Sequence, residues 1–334
     1  MDNSLPVDDP QPLDLVIVGA GPCGLAAAVA ASQAGLRYEI LDKGCITSSL
    51  IQYPYYMTFF STAVRLEIGD LPFTIPEPRP TRQQALAYYR RVAERHGIHV
   101  RQHHDVRTLT RMGSVFQVQA LHNGEERRFE THAVVVATGG FGEPNYLNVP
   151  GGESGRILHY YKEPYPFHAQ DVLVVGGANS AVEAALEMHR NGVRVQMVHF
   201  NDVFDRGVKP WVRPDIENRI GNDEIVMHWK HRVAQLAPGT VTLRHEDTGE
   251  TKRLDNDWVL AMTGWRPDRT LMERLGVAVD PETGIPDHDP ATMETNVPGV
   301  FIAGVIAAGN NANKIFIENG REHGALIVAA LGRR

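Results

Sequence analysis

A short glycine-rich stretch near the N-terminus, GAGPCG at residues 19–24, has the residue types and spacing of a phosphate-binding loop. In the spacing G-x-G-x-x-G, the first glycine allows a tight turn, the second lets the backbone approach a phosphate, and the third lets the next helix pack closely on the strand. The apolar run Leu13–Val18 precedes this loop, and an alanine-rich segment follows it and ends at Gly35. Asp42 ends the next apolar stretch, where a carboxylate can accept both hydrogen bonds from an adenosine ribose. This order predicts a strand–helix–strand unit that binds a dinucleotide.

A second stretch, VVGGANSA at residues 174–181, repeats the pattern. Gly176 opens the predicted turn, Ala178 stands where the middle glycine is usual, and Ala181 takes the helix-packing position. The helix that follows is predicted to end at Gly192. Two such units in one chain imply two bound dinucleotides, one a flavin and the other a nicotinamide nucleotide.

The composition argues against several other classes of protein. A chain of 334 residues is long enough for two domains, and its net charge of −7 at pH 7 disfavours nucleic acid and anionic membranes as partners. No apolar run approaches the ~20 residues that span a bilayer, and the histidines lack the spacing of a zinc site, so no metal is predicted. The two cysteines, Cys23 and Cys45, form no CxxC pair and indicate a reducing, cytoplasmic setting.

The order of five motifs along the chain resembles that of the thioredoxin-reductase-like flavoproteins with two dinucleotide-binding domains. These motifs are VIVGAGPCG, VVVATGG, VVGGANSA, AMTGWRPD and FIAGV. Within this group the chain is most similar to the bacillithiol disulfide reductase family, through GPCG, YPYYMTFFSTAVRLEIGDLPF, GANSAVEAAL, VKPWVRPD and FIAGVIAAGNNANKIFIENGREHG. The resemblance implies an α/β fold with two Rossmann-like domains. An NADPH-binding domain at 147–266 is then inserted into a split FAD-binding domain at 1–146 and 267–334.

The glycine-rich motifs, the neighbouring charged residues and the resemblance together predict which residues contact the two cofactors. Those predicted to contact FAD are Gly19, Gly21, Pro22, Cys23, Gly24, Asp42, Lys43, Thr138, Gly139, Gly304 and Lys314. Those predicted to contact NADPH are Gly176, Gly177, Asn179, Ser180, Ala181, Arg206, Lys209 and Arg213. Lys314 is expected at the N-terminus of a helix, where its charge and the helix dipole stabilise a reduced flavin.

Three departures from ordinary thioredoxin reductases bear on the chemistry. The inserted domain contains no cysteine, so no CxxC dithiol passes electrons to an acceptor. Val305 stands where the wider superfamily has an aspartate that holds the flavin, which leaves that task to Gly304 and to Asn310 or Asn311. His199, Phe200 and Asn201 stand where thioredoxin reductases have two adjacent arginines for the 2′-phosphate.

The activity that the resemblance implies is transfer of hydride from NADPH, through FAD, to a low-molecular-weight disulfide, namely bacillithiol disulfide. The alternative is a ferredoxin or flavodoxin NADP reductase, which passes electrons to a small redox protein. Such an enzyme usually has a basic docking face, and Lys209, Arg213, Arg219 and Lys230 are the candidates for one. Enzymes of this type are commonly homodimers or higher homo-oligomers.

Two hypotheses remain open for Cys23. In the first, Cys23 is a candidate catalytic residue, whose thiolate at a helix N-terminus attacks the substrate disulfide. In the second, the small side chain only packs where helix and sheet meet. His159 and His323 are candidate proton donors to a leaving thiolate, and the TFFST segment at 58–62 is a candidate wall of the flavin pocket.

Overall fold

A computed structural model describes residues 11–332, and the chain divides into two compact units. Unit 1 extends to Gln52, resumes over Met57–Glu143 and resumes again from Trp265. Unit 2 consists of Tyr53–Tyr56 and Pro144–Gly264. The crossovers therefore lie between residues 143 and 144 and between 264 and 265, whereas the sequence predicts them at 146/147 and 266/267. No motif in the sequence indicates that residues 53–56 belong to unit 2.

Unit 1 begins with the predicted strand–helix–strand unit. Its elements up to the first crossover are β1 (Leu13–Val18), α1 (Pro22–Gln33), β2 (Tyr38–Leu41), α2 (Ser48–Ile51), α3 (Arg82–Arg95), β3 (Val100–Arg101), β4 (Asp105–Met112), β5 (Val115–His122) and β6 (Glu125–Val136). β1 pairs in parallel with β2 on one side and with the second half of β6 on the other, and Leu15, Val16 and Ile17 are fully buried. A strand covered in this way has apolar residues in succession, which explains the unbroken run in the sequence.

The first half of β6 pairs antiparallel with β5, and β5 pairs antiparallel with β4. β6 thus links a three-stranded antiparallel meander to the parallel sheet. No motif in the sequence indicates this meander.

Unit 2 has its own parallel sheet. The next elements in the chain are β7 (Glu143–Pro144), β8 (Ile157–Leu158), β9 (Asp171–Val175), α4 (Asn179–Arg190), β10 (Arg194–His199), α5 (Arg213–Gly221), β11 (Val226–Trp229), β12 (His231–Ala237), β13 (Thr240–His245), β14 (Thr251–Asp255) and β15 (Trp258–Ala261). Five strands pair in parallel in the order β11-β10-β9-β15-β8, and β12, β13 and β14 form a separate antiparallel sheet. One apolar cluster packs around α4 and β9, and another includes residues of β12 and β13.

The chain then completes unit 1. The remaining elements are β16 (Trp265–Arg266), α6 (Thr270–Arg274), β17 (Val300–Ile302), α7 (Ile317–Gly320) and α8 (His323–Leu331). β17 pairs in parallel with the end of β6 and adds a strand to the first sheet. α8 packs on α1 so closely that a methyl group at Gly324 would lie 2.6 Å from the Cα atom of Ala27. The alanine-rich composition of α1 is therefore required by a helix packed at short range.

Candidate functional site

The first glycine-rich turn joins β1 to α1, and its three glycines have three distinct environments. Gly19 has φ +108°, and a Cβ atom there would collide with the carbonyl oxygen of Ala137. A Cβ atom at Gly24 would collide with the carbonyl oxygen of Gly19. At Gly21, in contrast, a Cβ atom would meet nothing within 4 Å, so the backbone faces open space there. A turn closed on two sides and open at its middle glycine fits the pyrophosphate of a dinucleotide.

Asp42 lies directly after β2 and supports this turn from the side. One carboxylate oxygen accepts the backbone N–H of Ala20 at 2.7 Å, and the other accepts the N–H of Gly44 at 2.7 Å and the hydroxyl of Ser48 at 3.0 Å. The residue is 8% exposed. A carboxylate has about four acceptor positions, so these bonds leave room for one hydrogen bond from a ribose rather than two. The neighbouring Lys43 is exposed.

Thr138 and Gly139 follow β6 at the same edge of the sheet. Ala137 donates its N–H to Val18 at 2.8 Å, which holds this segment beside the first turn. Gly139 has φ +81°, and Thr138 is exposed. Both predicted residues therefore lie at the carboxyl edge of the parallel strands, next to the glycine-rich turn.

Cys23 lies in the first turn of α1 and packs against two glycines of the C-terminal segment. A Cβ atom at Gly304 would lie 2.9 Å from the Cβ of Cys23, and one at Gly320 would lie 2.9 Å from its sulfur. The residue keeps some accessible surface, but the surrounding atoms bury its sulfur and raise the pKa of the thiol to about 12. Cys23 and Cys45 are both free thiols.

The segment after β17 differs from its prediction. Gly304 begins a short 3₁₀ turn (Gly304–Ala308), and Lys314 ends a second one instead of beginning a helix. The left-handed backbone of Gly309, with φ +60°, separates the two turns. The next helix, α7, begins only at Ile317, because the side chain of Asn319 accepts the N–H of Phe316 at its start. The predicted position of Lys314 at a helix N-terminus is therefore wrong, whereas its contact with FAD stays a prediction. The side chain of Lys314 is exposed.

The polar groups expected to replace the superfamily aspartate are already engaged. The N–H of Gly304 donates to Nδ1 of His323 at 3.2 Å. The amide oxygen of Asn310 accepts from Arg269 at 2.6 Å, and its nitrogen donates to the carbonyl of Glu282. Unit 1 therefore orders this turn through His323, a residue that the sequence suggests only as a candidate proton donor.

The second glycine-rich turn joins β9 to α4. Gly176 has φ +140°, and a Cβ atom there would lie 2.6 Å from the carbonyl oxygen of Met262. Ala178 is the N-cap of α4 with φ −90° and ψ 177°, a conformation that alanine adopts without strain. This explains why the middle glycine is dispensable here. Ala181 is fully buried against the turn, as its helix-packing position requires.

The cations predicted to bind the 2′-phosphate have different surroundings. Lys209 is 7% exposed, and its ammonium group lies 2.7 Å from Glu183. Glu183 also accepts a hydrogen bond from Asn179 at 2.6 Å, so two predicted NADPH contacts belong to one internal network. Arg213 lies 3.8 Å from Glu217, whereas Arg206 is exposed. The arrangement disfavours Lys209 as a phosphate ligand and leaves Arg206 open to solvent.

Burial lowers the pKa of both candidate proton donors, His159 and His323. Both are therefore neutral imidazoles at pH 7, and Nδ1 of His323 is already an acceptor. In the TFFST segment, Phe59 is buried in the core and Phe60 is 55% exposed. No cluster of three metal-ligating side chains occurs between residues 11 and 332, and no helix in that range is long and apolar enough to cross a membrane.

A glycine-rich turn at the carboxyl edge of each of two parallel sheets, with one unit inserted into the other, defines the class of flavoproteins with two dinucleotide-binding domains. A family model described as "Pyridine nucleotide-disulphide oxidoreductase" matches residues 16–304, and the chain belongs to this family. It is an NADPH-dependent flavin oxidoreductase, and its cofactors are FAD and NADPH.

The chain is 42% identical over 320 residues to Bacilliredoxin reductase Bdr of Bacillus subtilis, covering 96% of this chain and 97% of that protein. The solved structure of Bacillithiol Disulfide Reductase Bdr from Bacillus cereus has a TM-score of 0.94 and 42% identity, covering 97% of this chain and 100% of that one. The enzyme of the same name from Staphylococcus aureus has a TM-score of 0.91 and 37% identity, covering 97% and 99%. These similarities extend over both units.

Proposed function

We propose that this enzyme reduces bacillithiol disulfide with electrons from NADPH, through FAD. The observation that carries the proposal is the full-length similarity to the B. cereus and S. aureus enzymes, whose structures are named for that reaction. The family establishes FAD and NADPH as the cofactors. The identity of the electron acceptor is proposed from the similarity to these two enzymes.

We assign FAD to unit 1 and NADPH to unit 2. In unit 1 the open backbone at Gly21 would bind the FAD pyrophosphate, and Asp42 would hold the turn and accept one ribose hydroxyl. In unit 2 the turn from Gly176 to Ala181 would bind the NADPH pyrophosphate at the N-terminus of α4. The bound flavin supplies the redox chemistry by accepting hydride and returning electrons to the acceptor.

The chain itself supplies no dithiol relay for this reaction. Its only two cysteines are Cys23 and Cys45, and neither lies in unit 2. The assignment of Cys23 as a catalytic nucleophile stays a prediction. A pKa of about 12 works against it, because the thiolate is the attacking species in disulfide exchange.

A small redox protein is the second candidate acceptor, because the B. subtilis relative is named a bacilliredoxin reductase. A basic docking face would support it, but three of the four candidate cations form close ion pairs. Lys209 pairs with Glu183, Arg219 with Asp215 and Glu224, and Lys230 with Asp247. Paired charges give little net field to attract an acidic protein such as a ferredoxin or flavodoxin. The small disulfide is the better-supported acceptor, because the solved B. cereus and S. aureus structures are named for its reduction.

The test measures NADPH oxidation by the FAD-loaded enzyme with four acceptors: bacillithiol disulfide, oxidised bacilliredoxin, flavodoxin and a generic dye. The proposal expects turnover with the dye and with bacillithiol disulfide in the absence of any second protein. Turnover with the dye and with bacilliredoxin, but not with bacillithiol disulfide alone, would transfer the assignment to the protein acceptor. Preference for flavodoxin, with strong salt sensitivity, would support the ferredoxin or flavodoxin reductase alternative.

Comparison of Cys23→Ala with Cys45→Ala in the same assays separates the two hypotheses for Cys23. Loss of disulfide reduction with retained dye reduction, in Cys23→Ala only, would establish a thiol mechanism.

We further infer a cytoplasmic location, from the use of NADPH and the two free thiols, and a homodimer or higher homo-oligomer. Light scattering of the holoenzyme tests the oligomeric state.

A further inference from the structure

The carboxyl end of β10 is the place in unit 2 where this kind of fold reads the adenosine ribose of its dinucleotide. The strand ends at His199, which is 3% exposed, and Phe200 follows it with 45% of its surface exposed. A Cβ atom at Gly177, in the glycine-rich turn, would lie 2.5–2.6 Å from three atoms of the His199 ring. The strand end and the turn are therefore in direct contact, but His199 and Phe200 provide no cation for a 2′-phosphate.

Arg232 of β12 supplies a cation at this point from a different sheet. Its guanidinium carbon lies 4.4 Å from the centroid of the Phe200 ring, a distance typical of a cation–π contact. Its Nε donates to Glu246 at 2.8 Å, which fixes the plane of the guanidinium. Neither terminal nitrogen has a hydrogen-bond partner among residues 11–332, and the side chain is 53% exposed.

The geometry points to Arg232 as the residue that binds the 2′-phosphate of NADPH, with Phe200 as the platform that holds the guanidinium. Two free terminal nitrogens in one plane match two phosphate oxygens, and a lysine cannot reproduce this arrangement. The inference rests on NADPH as the reductant. It adds that specificity comes from an arginine of the antiparallel sheet, because neither His199 nor Phe200 at the end of β10 supplies a cation.

The other cations near the turn are less suited to this role. Lys209 is buried in its pair with Glu183. Arg206 is exposed, and its neighbour Asp205 is bound to the turn through an N–H···O bond to Gly177 at 3.0 Å. The carboxylate of Asp205, however, lies 3.5 Å from Nε2 of His199 and would repel a phosphate on that side.

The test measures binding of adenosine 2′,5′-bisphosphate and of 5′-AMP to the FAD-loaded enzyme by titration calorimetry. The wild type is expected to bind the bisphosphate at least about tenfold more tightly, because hydrogen bonds between charged groups are strong. Arg232→Met removes the guanidinium but keeps an unbranched side chain, and it is expected to remove this preference while 5′-AMP binds as before. Arg232→Lys should retain only part of it.

Arg244→Met is the matched control, because Arg244 is exposed and lies directly opposite Arg232 in the β12–β13 pair. It removes the same charge from the same sheet and should leave the preference intact. In steady state, Arg232→Met should raise the KM for NADPH about tenfold and lower the preference for NADPH over NADH, whereas Arg244→Met should change neither.

Three outcomes would overturn the inference. If Arg232→Met still binds the bisphosphate more tightly than 5′-AMP, Arg232 does not bind the 2′-phosphate. Loss of the preference in Arg206→Met but not in Arg232→Met places the site on the loop after β10. A wild type that binds both nucleotides equally refutes the choice of NADPH in the proposed function, and this inference fails with it. The first two outcomes leave the proposed function intact.

Discussion

At the scale of single residues, Cys23 shows how packing can outweigh position. The N-terminus of a helix normally lowers the pKa of a thiol, because the helix dipole stabilises the thiolate. In this chain the sulfur is enclosed beside Gly304 and Gly320, and burial raises the pKa to about 12. A bound pyrophosphate next to the turn would add negative charge and oppose the thiolate further. Cys23 is therefore a thiol in a close-packed position.

We expect Cys23 to react very slowly with iodoacetamide in the native protein. The Cys45→Ser variant leaves Cys23 as the sole thiol, and its alkylation at pH 8 is followed by mass spectrometry with and without denaturant. A rise in pKa from 9.0 to about 12 reduces the thiolate fraction by on the order of a thousandfold, so native alkylation should be at least about a hundredfold slower. Native and denatured rates within a factor of about ten would show that the thiolate is available and would favour the catalytic hypothesis.

At the scale of the elements, the two glycine-rich turns have the same role but different tolerances. The helix-packing position is Gly24 in the first turn and Ala181 in the second. A Cβ atom at Gly24 would collide with the carbonyl oxygen of Gly19. In the second turn the real Cβ of Ala181 is accommodated, and even a Cβ added at Gly176 would lie 3.2 Å from it.

Gly24→Ala is therefore expected to disrupt unit 1, and Ala181→Gly to have a small effect. The first change forces the turn away from the sheet, and we expect a loss of stability of about 3 kcal/mol or more together with weakened FAD binding. The second removes one methyl group from a helix and should cost about 1–2 kcal/mol. The ratio of flavin to protein absorbance and the melting temperature measure both effects. Normal FAD content in Gly24→Ala would contradict the close packing of this turn.

The elements also show which features of the structure can be predicted from the sequence alone. Strands and turns that depend on local pattern were predictable: the first unit was expected at residues 13–42, and the structure has β1, α1 and β2 within that range. Features that depend on contacts between residues far apart in the sequence were not predictable. Glu183 neutralises Lys209 from 26 positions away, and Arg232 reaches Phe200 from another sheet. No local pattern in the sequence indicates either contact, so the phosphate site could not be derived from spacing.

At the scale of the whole molecule, burial holds several histidines in their neutral form. The pKa is lowered chiefly by desolvation in His104, His159, His199, His228 and His323, which lie in both units. Between the folded and unfolded pKa values of such a group, the unfolded chain binds more protons than the folded one. The free energy of unfolding is then greatest above about pH 6.5 and falls as the pH falls. We expect acid to destabilise this protein well before its carboxylates are protonated.

His228 should contribute most clearly, because its pKa is lowered to about 4. Its Nε2 pairs with the amide oxygen of Gln196 at 2.8 Å and its Nδ1 with the ammonium group of Lys252 at 2.6 Å, an arrangement that requires a neutral ring. With an unfolded pKa of 6.5, the contribution of His228 to the free energy of unfolding should fall by about 2 kcal/mol between pH 7 and pH 5, and by about 3 kcal/mol by pH 4.

Urea denaturation of the wild type and of His228→Gln at pH 7, 6 and 5 measures the effect. The variant is expected to be less stable at pH 7 but to have a shallower decline, whereas His99→Gln, at an exposed site, should decline like the wild type. Parallel declines in the wild type and His228→Gln would show that His228 is protonated without cost in the folded protein.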